Sequence, residues 1–243
     1  MKISIVTACY NSEKTIERTI QSVLAQTYSN IEYIIIDGGS KDKTLEIINQ
    51  YANKISRVVS EKDGGIYDAL NKGIANSTGD FIGFLHADDA FASNNVIAQI
   101  AHLAQNADAV YADLQYVSAT GKVIRHWKSG LFSPKLLKRG WMPPHPTLYV
   151  KRTLYSQIGG FDLSYKIASD YDFMLRLLSL DNLRVSYLPQ VTVLMMVGGA
   201  SNKSLKNILQ KSKEDYRALK SNKIGGFAAL FFKNFGKIGQ FLK

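Results

Sequence analysis

Acidic residues collect where the apolar runs of this chain stop. Residues 79–89 read Gly-Asp-Phe-Ile-Gly-Phe-Leu-His-Ala-Asp-Asp, an apolar stretch that closes on Asp88 and Asp89. Two adjacent carboxylates are poor core residues and good ligands for a hard divalent cation, although a plain Asp-rich turn carries the same letters. The pattern recurs upstream: Asp37-Gly38-Gly39-Ser40 follows one apolar run, Asp63-Gly64-Gly65 another, and Tyr10-Asn11 the first of all. Glycines at such ends let the backbone approach a ligand closely. Later in the chain Asp170 and Asp172 stand in the first turn of a helical segment, and His145 sits in the rigid run Trp141-Met142-Pro143-Pro144-His145-Pro146.

Those residues need a scaffold that brings strand ends together. Residues 2–8, 31–36, 55–60 and 81–85 read as strands, the last a continuous apolar run buried on both faces. Helices lie between them, marked by Ile16, Ile20, Val23 and Leu24, by Leu45 and Ile48, and by Ile66, Ala69, Leu70 and Ile74. Asn11-Ser12 is the expected cap of the first helix, with Glu13 in its first turn. Alternating β and α with short connections predicts a parallel sheet with crossover helices, and such sheets bind ligands outside the carboxyl ends of their strands. Four polar strand ends on one rim mark that rim as the candidate active site.

The second half is built differently. Ser93 caps a further helix, residues 109–115 and 122–127 read as a hairpin, and Ser133-Pro134 opens a short basic helix. Gly159-Gly160-Phe161-Asp162 is a turn, and residues 169–180 are helical. Strands are expected at 183–187 and 191–197, broken at Pro189. The fold class is α/β, with a Rossmann-like, mostly parallel central sheet and a smaller mixed region.

Composition sets outer limits. The chain has 243 residues, 46% hydrophobic and 21% charged, as ordinary globular proteins do. A single cysteine, Cys9, excludes an internal disulfide and fits a reducing compartment. The opening apolar stretch is short for a signal peptide, and no run approaches a membrane span, so the cytoplasm is the expected location. The net charge of +10 is unevenly placed: from Lys203 onward ten basic residues oppose Glu214 and Asp215, a balance of +8, leaving +2 for residues 1–202. A nucleic-acid groove would involve the body of the fold, so none is expected.

The segments Ser4-Ile-Val-Thr-Ala-Cys-Tyr-Asn11, Ile36-Asp-Gly-Gly-Ser-Lys-Asp42 and Asp63-Gly-Gly-Ile-Tyr-Asp-Ala-Leu-Asn-Lys-Gly73 resemble the family 2 glycosyltransferases of GT-A fold. Residues 79–89, Ile158-Gly-Gly-Phe-Asp162 and Ala168-Ser-Asp-Tyr-Asp-Phe-Met-Leu-Arg176 continue the likeness in the family's order. Within the family, the chain looks like bacterial enzymes that build surface polysaccharides, O-antigen or capsule. The resemblance implies an inverting transferase that uses a nucleotide-sugar donor and Mg²⁺ or Mn²⁺. It places Tyr10 against the base, near Ala8, where many members carry proline, and gives Asp37 a hydrogen bond to the base. It makes Asp89 the direct metal ligand with Asp88 nearer the ribose, and Asp170 the catalytic base. A UDP-sugar is the favoured donor, and a glycan or polyprenyl-linked hydroxyl the acceptor.

The chemistry agrees: a carboxylate-held cation stabilises charge on a leaving diphosphate, and a placed carboxylate takes the acceptor's proton. Asp170 at a helix N-terminus is expected to stay ionised at some loss of basicity. Asp172 is left to capping or packing. His86 stands where many members have the first acid of the metal motif, and Ser169 where an acid often precedes the base. Asp63 either holds the nucleotide or a lysine, or forms its turn. Lys72 is a candidate for the diphosphate or a solvated helix lysine. His145 and Trp141 are candidates for the acceptor or metal, or a packed pair.

Residues 1–200 are expected as one domain, with the nucleotide sugar bound by 1–115 and the acceptor by 116–200, followed by a basic helical tail at 201–243. In residues 224–243, Phe227, Phe231, Phe235, Ile238 and Leu242 form one helical stripe, with Lys233, Lys237 and Gln240 elsewhere. Such a stripe suits an anionic membrane surface at the inner face of the plasma membrane; docking on the chain's own body or in a homodimer is the rival. A sugar-nucleotide pyrophosphorylase would need a Gly-rich basic loop where this chain reads Ala-Cys-Tyr-Asn-Ser-Glu, and is rejected. A non-catalytic nucleotide-binding adaptor at the membrane is the remaining alternative.

Overall fold

Runs dense in isoleucine and valine form the centre of the molecule, whose computed structural model describes residues 1–197 and 205–235. β1 (Ile3–Cys9), β2 (Ile31–Asp37), β3 (Arg57–Ser60) and β4 (Phe81–Phe84) pair in parallel in the order β3-β2-β1-β4. Their register sets Cys9 opposite Asp37 and Val6 opposite Phe84, so the strand ends reach one rim together. The connections are α1 (Ile16–Leu24), α2 (Thr44–Gln50) and α3 (Ile66–Asn76).

Beyond β4 the sheet turns mixed. β8 (Tyr149–Lys151) lies antiparallel to β4, β6 (Ala109–Val117) antiparallel to β8, and β9 (Val185–Met196) parallel to β6. β5 (Ala90–Phe91) edges β9, and β7 (Val123–Trp127) forms the expected hairpin with β6. Alternation of side chains across the sheet divides the core in two. Ile3, Ile5, Ile35 and Tyr33 pack toward α1 and α4 (Val96–Ala104), while Val6, Ile34 and Ile36 pack toward α3. The second face continues under α6 (Arg152–Ile158), α7 (Ser169–Leu178), α8 (Leu205–Ser221) and α9 (Phe227–Phe235).

Several local expectations change. β9 runs straight through Pro189, because the pairing with β6 shifts register around Asp113 and spares the missing N–H. α1 starts at Ile16 without a side-chain cap; Asn11 instead adopts a left-handed conformation (φ 48°) and accepts from the amide of Lys41. The short basic helix α5 covers only Pro134–Leu137. β5, β8 and α6 are too short to stand out from periodicity.

The C-terminal helices close onto the body, with Ala218, Leu219 and Ala229 in the second core. Part of the expected aromatic stripe of the tail faces outward, but one of its lysines turns inward. Phe227, Phe231 and Phe232 are 76%, 48% and 52% exposed, while Lys233 is buried. The side chain of Phe235, together with Lys237, Ile238, Gln240 and Leu242, lies outside the described residues. Among the described residues no helix is long and apolar enough to cross a membrane.

Packing of α3 on β1 allows a direct test. A Cβ on Gly73 would lie 2.2 Å from Cγ1 of Val6, a β-branched residue fully buried in the sheet. Gly73→Ala should therefore destabilise the fold by about 1–3 kcal/mol in urea unfolding, despite alanine's better helix propensity. A neutral or stabilising result would contradict this packing.

Candidate active site

The rim divides into two neighbouring clusters. At the ends of β1 and β2, Tyr10 is 58% exposed and stands free of the core, while Ala8 is buried on the α3 side of the sheet. Ala8 therefore offers a ligand no side chain. Asp37 is fully buried, and its oxygens accept from the amides of Gly39 (3.2 Å) and Ser40 (3.1 Å), from Ser60 Oγ (2.7 Å) and from Ser40 Oγ. Three of these donors belong to its own turn and the fourth, Ser60, ends β3, so the carboxylate is held at the rim between two strands. Burial and then Asp37 push the neighbouring Cys9 thiol far above its ordinary range, so it stays neutral.

Asp63 forms its Asp-Gly-Gly turn, accepting from the Gly65 amide at 2.9 Å. Its Oδ2 also occupies the space a Cβ on Gly38 would need, 2.5 Å from that position. The two glycine turns thus interlock, and backbone rather than side chain faces the rim. Lys72 is committed elsewhere. It pairs with Glu61 (2.9 Å) and Asp68 (3.6 Å) and donates to the Lys62 carbonyl, which ties down the loop after β3.

The second cluster follows β4. Asp89 is 1% exposed; its Oδ1 accepts from the Met196 amide at 3.3 Å, and its Oδ2 has no hydrogen-bond partner among the described residues. Burial first, then the charge of Asp88, pushes the Asp89 carboxyl well above the usual range, with Arg18 opposing. His86 beside it is half-buried, with its Nδ1 shielded from solvent and likewise unpartnered among the described residues. His145 stacks on Phe84 (5.3 Å between centroids), meets Phe161 edge-on and lies 6.0 Å from His86. Burial and then His86 lower His145 to about 3, and burial lowers His86, so both imidazoles are neutral at physiological pH. Trp141 is not their neighbour: its Nε1 donates to the Ser129 carbonyl and its ring packs on Tyr111 and Phe132.

Asp170 enters this second cluster from the first turn of α7. Its Oδ1 accepts from Tyr67 Oη (3.3 Å) and from the Tyr171 amide (2.8 Å). Burial raises its carboxyl, outweighing Lys233, Lys211 and the Tyr171 amide, so the helix terminus does not leave it an ordinary, weakly basic acid. The acids lie close enough to act on the same neighbours. His86 senses both Asp88 and Asp170, and Tyr116 on β6 senses both Asp89 and Asp170. Arg125 lies over the rings of Tyr116 (5.0 Å) and Trp127 (5.3 Å) on the adjoining hairpin. Asp172 serves packing, paired with Arg176 at 2.8 Å and accepting from Asn222.

A separate surface groove of about 630 Å³ is lined by Gly160, Asp172, Arg176 and Arg217. Its arginines are engaged, Arg176 with Asp172 and nearby carbonyls and Arg217 over Tyr165 at 3.6 Å, and none of the rim acids reaches it. Tyr67, Tyr116 and Arg125 were not found from the sequence, since an isolated aromatic or arginine carries no positional signal.

A divalent cation fits the second cluster on one observation: a buried carboxylate oxygen without a partner beside a second carboxylate. Among the described residues no group of three or more His, Cys, Asp or Glu could cage a metal alone. A cation held here would take its remaining ligands from phosphate oxygens and water, as Mg²⁺ commonly does.

The model of glycosyl transferase family 2 matches residues 4–167. An uncharacterised glycosyltransferase of Mycobacterium tuberculosis is 34% identical over 190 residues, which span 72% of this chain and 68% of that protein. A PGL/p-HBAD biosynthesis glycosyltransferase of Mycobacterium bovis is 30% identical over 207 residues, spanning 82% of this chain and 78% of its own. Staphylococcus aureus TarS 1-349, solved in complex with UDP-GlcNAc, superposes with a TM-score of 0.71 at 20% identity over 92% of this chain, which spans 66% of that fragment. The mannosyltransferase PcManGT of Pyrobaculum calidifontis, solved with GDP-Man and Mn²⁺, gives 0.68 at 17% identity over 98% of this chain and 70% of that one. At these identities the structural likenesses concern the fold, and they agree with a GT-A arrangement of a mostly parallel sheet flanked by helices.

The raised Asp89 carboxyl has a consequence for stability. In the folded protein it holds its proton more tightly than in the unfolded chain, so its contribution is present at low pH and fades as pH rises through the raised value. In chelator, Asp89→Asn should remove that loss and melt above wild type at neutral and alkaline pH, while divalent cations should stabilise wild type alone. An Asp89→Asn protein that melts below wild type across that range would contradict the uncompensated burial.

Proposed function

The chain belongs to the family 2 glycosyltransferases, enzymes that transfer sugars, and on that premise we propose that it moves a sugar from a UDP-sugar to a hydroxyl of a glycan or lipid-linked acceptor, inverting the anomeric centre. The observation that carries this is that Asp89 and Asp170, supplied by separate segments, both act on Tyr116 and are both pushed up by burial. TarS structures holding UDP and UDP-GlcNAc support the donor class, and PcManGT with GDP-Man and Mn²⁺ supports a divalent cation. The relatives named for PGL/p-HBAD biosynthesis support a biosynthetic glycosyl transfer.

In this reading residues 1–115 hold the donor and 116–200 shape the acceptor side. Tyr10 stacks on the base, and the interlocked Gly38-Gly39 and Gly64-Gly65 turns let backbone lie against the nucleotide. Asp89, with Asp88, would hold Mg²⁺ or Mn²⁺, which when bound offsets charge on the leaving diphosphate. Asp170 takes the acceptor hydroxyl's proton as the new C1–O bond forms and the bond from C1 to the diphosphate oxygen breaks. Burial helps it here: a carboxylate of raised basicity is the better general base. Tyr67 holds it in place. Neutral His86 and His145 add no positive charge to compete with the cation.

The outward aromatic face of α9, in a tail that carries most of the net charge, supports contact with an anionic membrane at the cytoplasmic side, where a lipid-linked acceptor would be met.

Asp89→Asn and Asp170→Asn should each reduce transfer from a UDP-sugar by about a thousandfold while the fold is kept. Unchanged transfer in either, or a function independent of both as a nucleotide-binding adaptor would show, contradicts the reading. Tyr10→Ala should raise KM for the donor about tenfold with little change in kcat, the loss expected for one base–aromatic stack. For the membrane, replacing Phe227, Phe231 and Phe232 by serine should abolish co-sedimentation with vesicles containing phosphatidylglycerol; equal sedimentation would sink that part.

A further inference from the structure

The segment that carries Asp170 is held from behind by helices outside the part of the chain that matches the family. On α8 the buried Glu214 collects three consecutive amides just before α7: Lys166 (3.1 Å), Ile167 (2.8 Å) and Ala168 (3.0 Å). The next residue, Asp215, has a side chain 1% exposed and pairs with Lys211 (2.8 Å) and with Lys233 (2.6 Å), whose side chain is also 1% exposed. Lys233 Nζ also lies 3.1 Å from the centroid of Tyr171, the residue whose amide donates to Asp170. A Cβ on Gly140 would come within 2.5 Å of Lys233 Cβ and of the Ala229 carbonyl, so α9 is seated tightly with its lysine turned inward.

A buried lysine is a costly choice for merely docking a helix, since an alanine or leucine would fill the space without desolvating a charge. What a lysine adds is a fixed positive charge beneath the first turn of α7. We propose that Lys233 is a positioning residue for the catalytic base: from α9 it pins Tyr171 and Asp215 under α7 and so fixes Asp170 in the pocket. The C-terminal helix is then part of the active site although it touches no substrate. This rests on Asp170 being the base. The groups facing Asp170 are Tyr67 from α3, His86 after β4, Tyr116 from β6, Lys211 and Asp215 from α8, and Lys233 from α9. Burial raises the Asp170 carboxyl, and Lys233 is the first of the charges that pull it back.

The test is a carbon-13 NMR titration of aspartate-labelled full-length protein in Mg²⁺, with the Asp170 signal assigned through Asp170→Asn. Lys233→Met should move the Asp170 midpoint to higher pH, and Lys233→Arg should leave it near wild type. Because Lys233→Met strands Asp215, Lys233→Met with Asp215→Asn is the version expected to regain wild-type melting, with a smaller upward shift. An unmoved midpoint in folded Lys233→Met or in the folded double variant overturns the proposal and leaves the transferase reading intact. If the midpoint moves but Asp170→Asn still turns over a UDP-sugar, the base assignment fails, and the catalytic role of Lys233 fails with it.

Discussion

Charge taken out of water must be answered by something, and in this molecule the answer is incomplete at one place only among the acids described. Asp37 is answered by three donors of its own loop and by Ser60 of β3, Glu32 by Ser4, Thr78 and Lys2, and Asp215 by two lysines. Asp89 is left with a bare oxygen beside Asp88, in a pocket whose two histidines are neutral. A fold selected for stability alone would replace or pair such a group. Its persistence here is what a site built for a cation and a diphosphate would show, and the rest of the architecture serves to hold that mismatch.

That service has two parts. The parallel half of the sheet brings strand ends level, and hydrogen bonds between loops, such as Lys43 N–H to Glu13 and Asn11 N–H to Ser40, fix the rim beyond β1 and β2. The mixed half brings α7 across the pocket, where Glu214 and the Lys233–Asp215 pair hold its N-terminus. The two halves meet in a shared field, since Tyr116 and His86 each sense acids contributed by different segments. In the proposed reaction, chemistry between donor and acceptor depends on that meeting.

Much of this was legible in the sequence. Period-2 and period-3.6 patterns separate cleanly when strands are fully buried and helices are amphipathic, so β1, β2, β4, α1 and α3 could be read directly. Asp88 and Asp89 could be read because an apolar run ended on them. Failures had local causes. Asn11 looked like a cap because its side chain is the right kind, but that side chain bonds another loop instead. Lys233 was placed only as lying off the aromatic stripe, and no periodicity reveals that a buried Asp215 lies 18 positions earlier waiting for it. Glu214 and Asp215, the two acids in a run of ten bases, were the one available signal. Desolvation raises the Asp170 carboxyl against the pull of the helix terminus, so the loss of basicity expected there does not appear.

The central claim is that the acids after β4 and the acid at the start of α7 share one cation-bearing pocket. Paramagnetic broadening measures this directly: Mn²⁺ is added with UDP to nitrogen-15-labelled protein and amide signals are followed. The account predicts that amides of residues 86–89 and of residues 167–171 broaden together, and that neither set broadens in Asp89→Asn. Sharp signals at 167–171 while 86–89 are lost, or broadening that persists in Asp89→Asn, would contradict it.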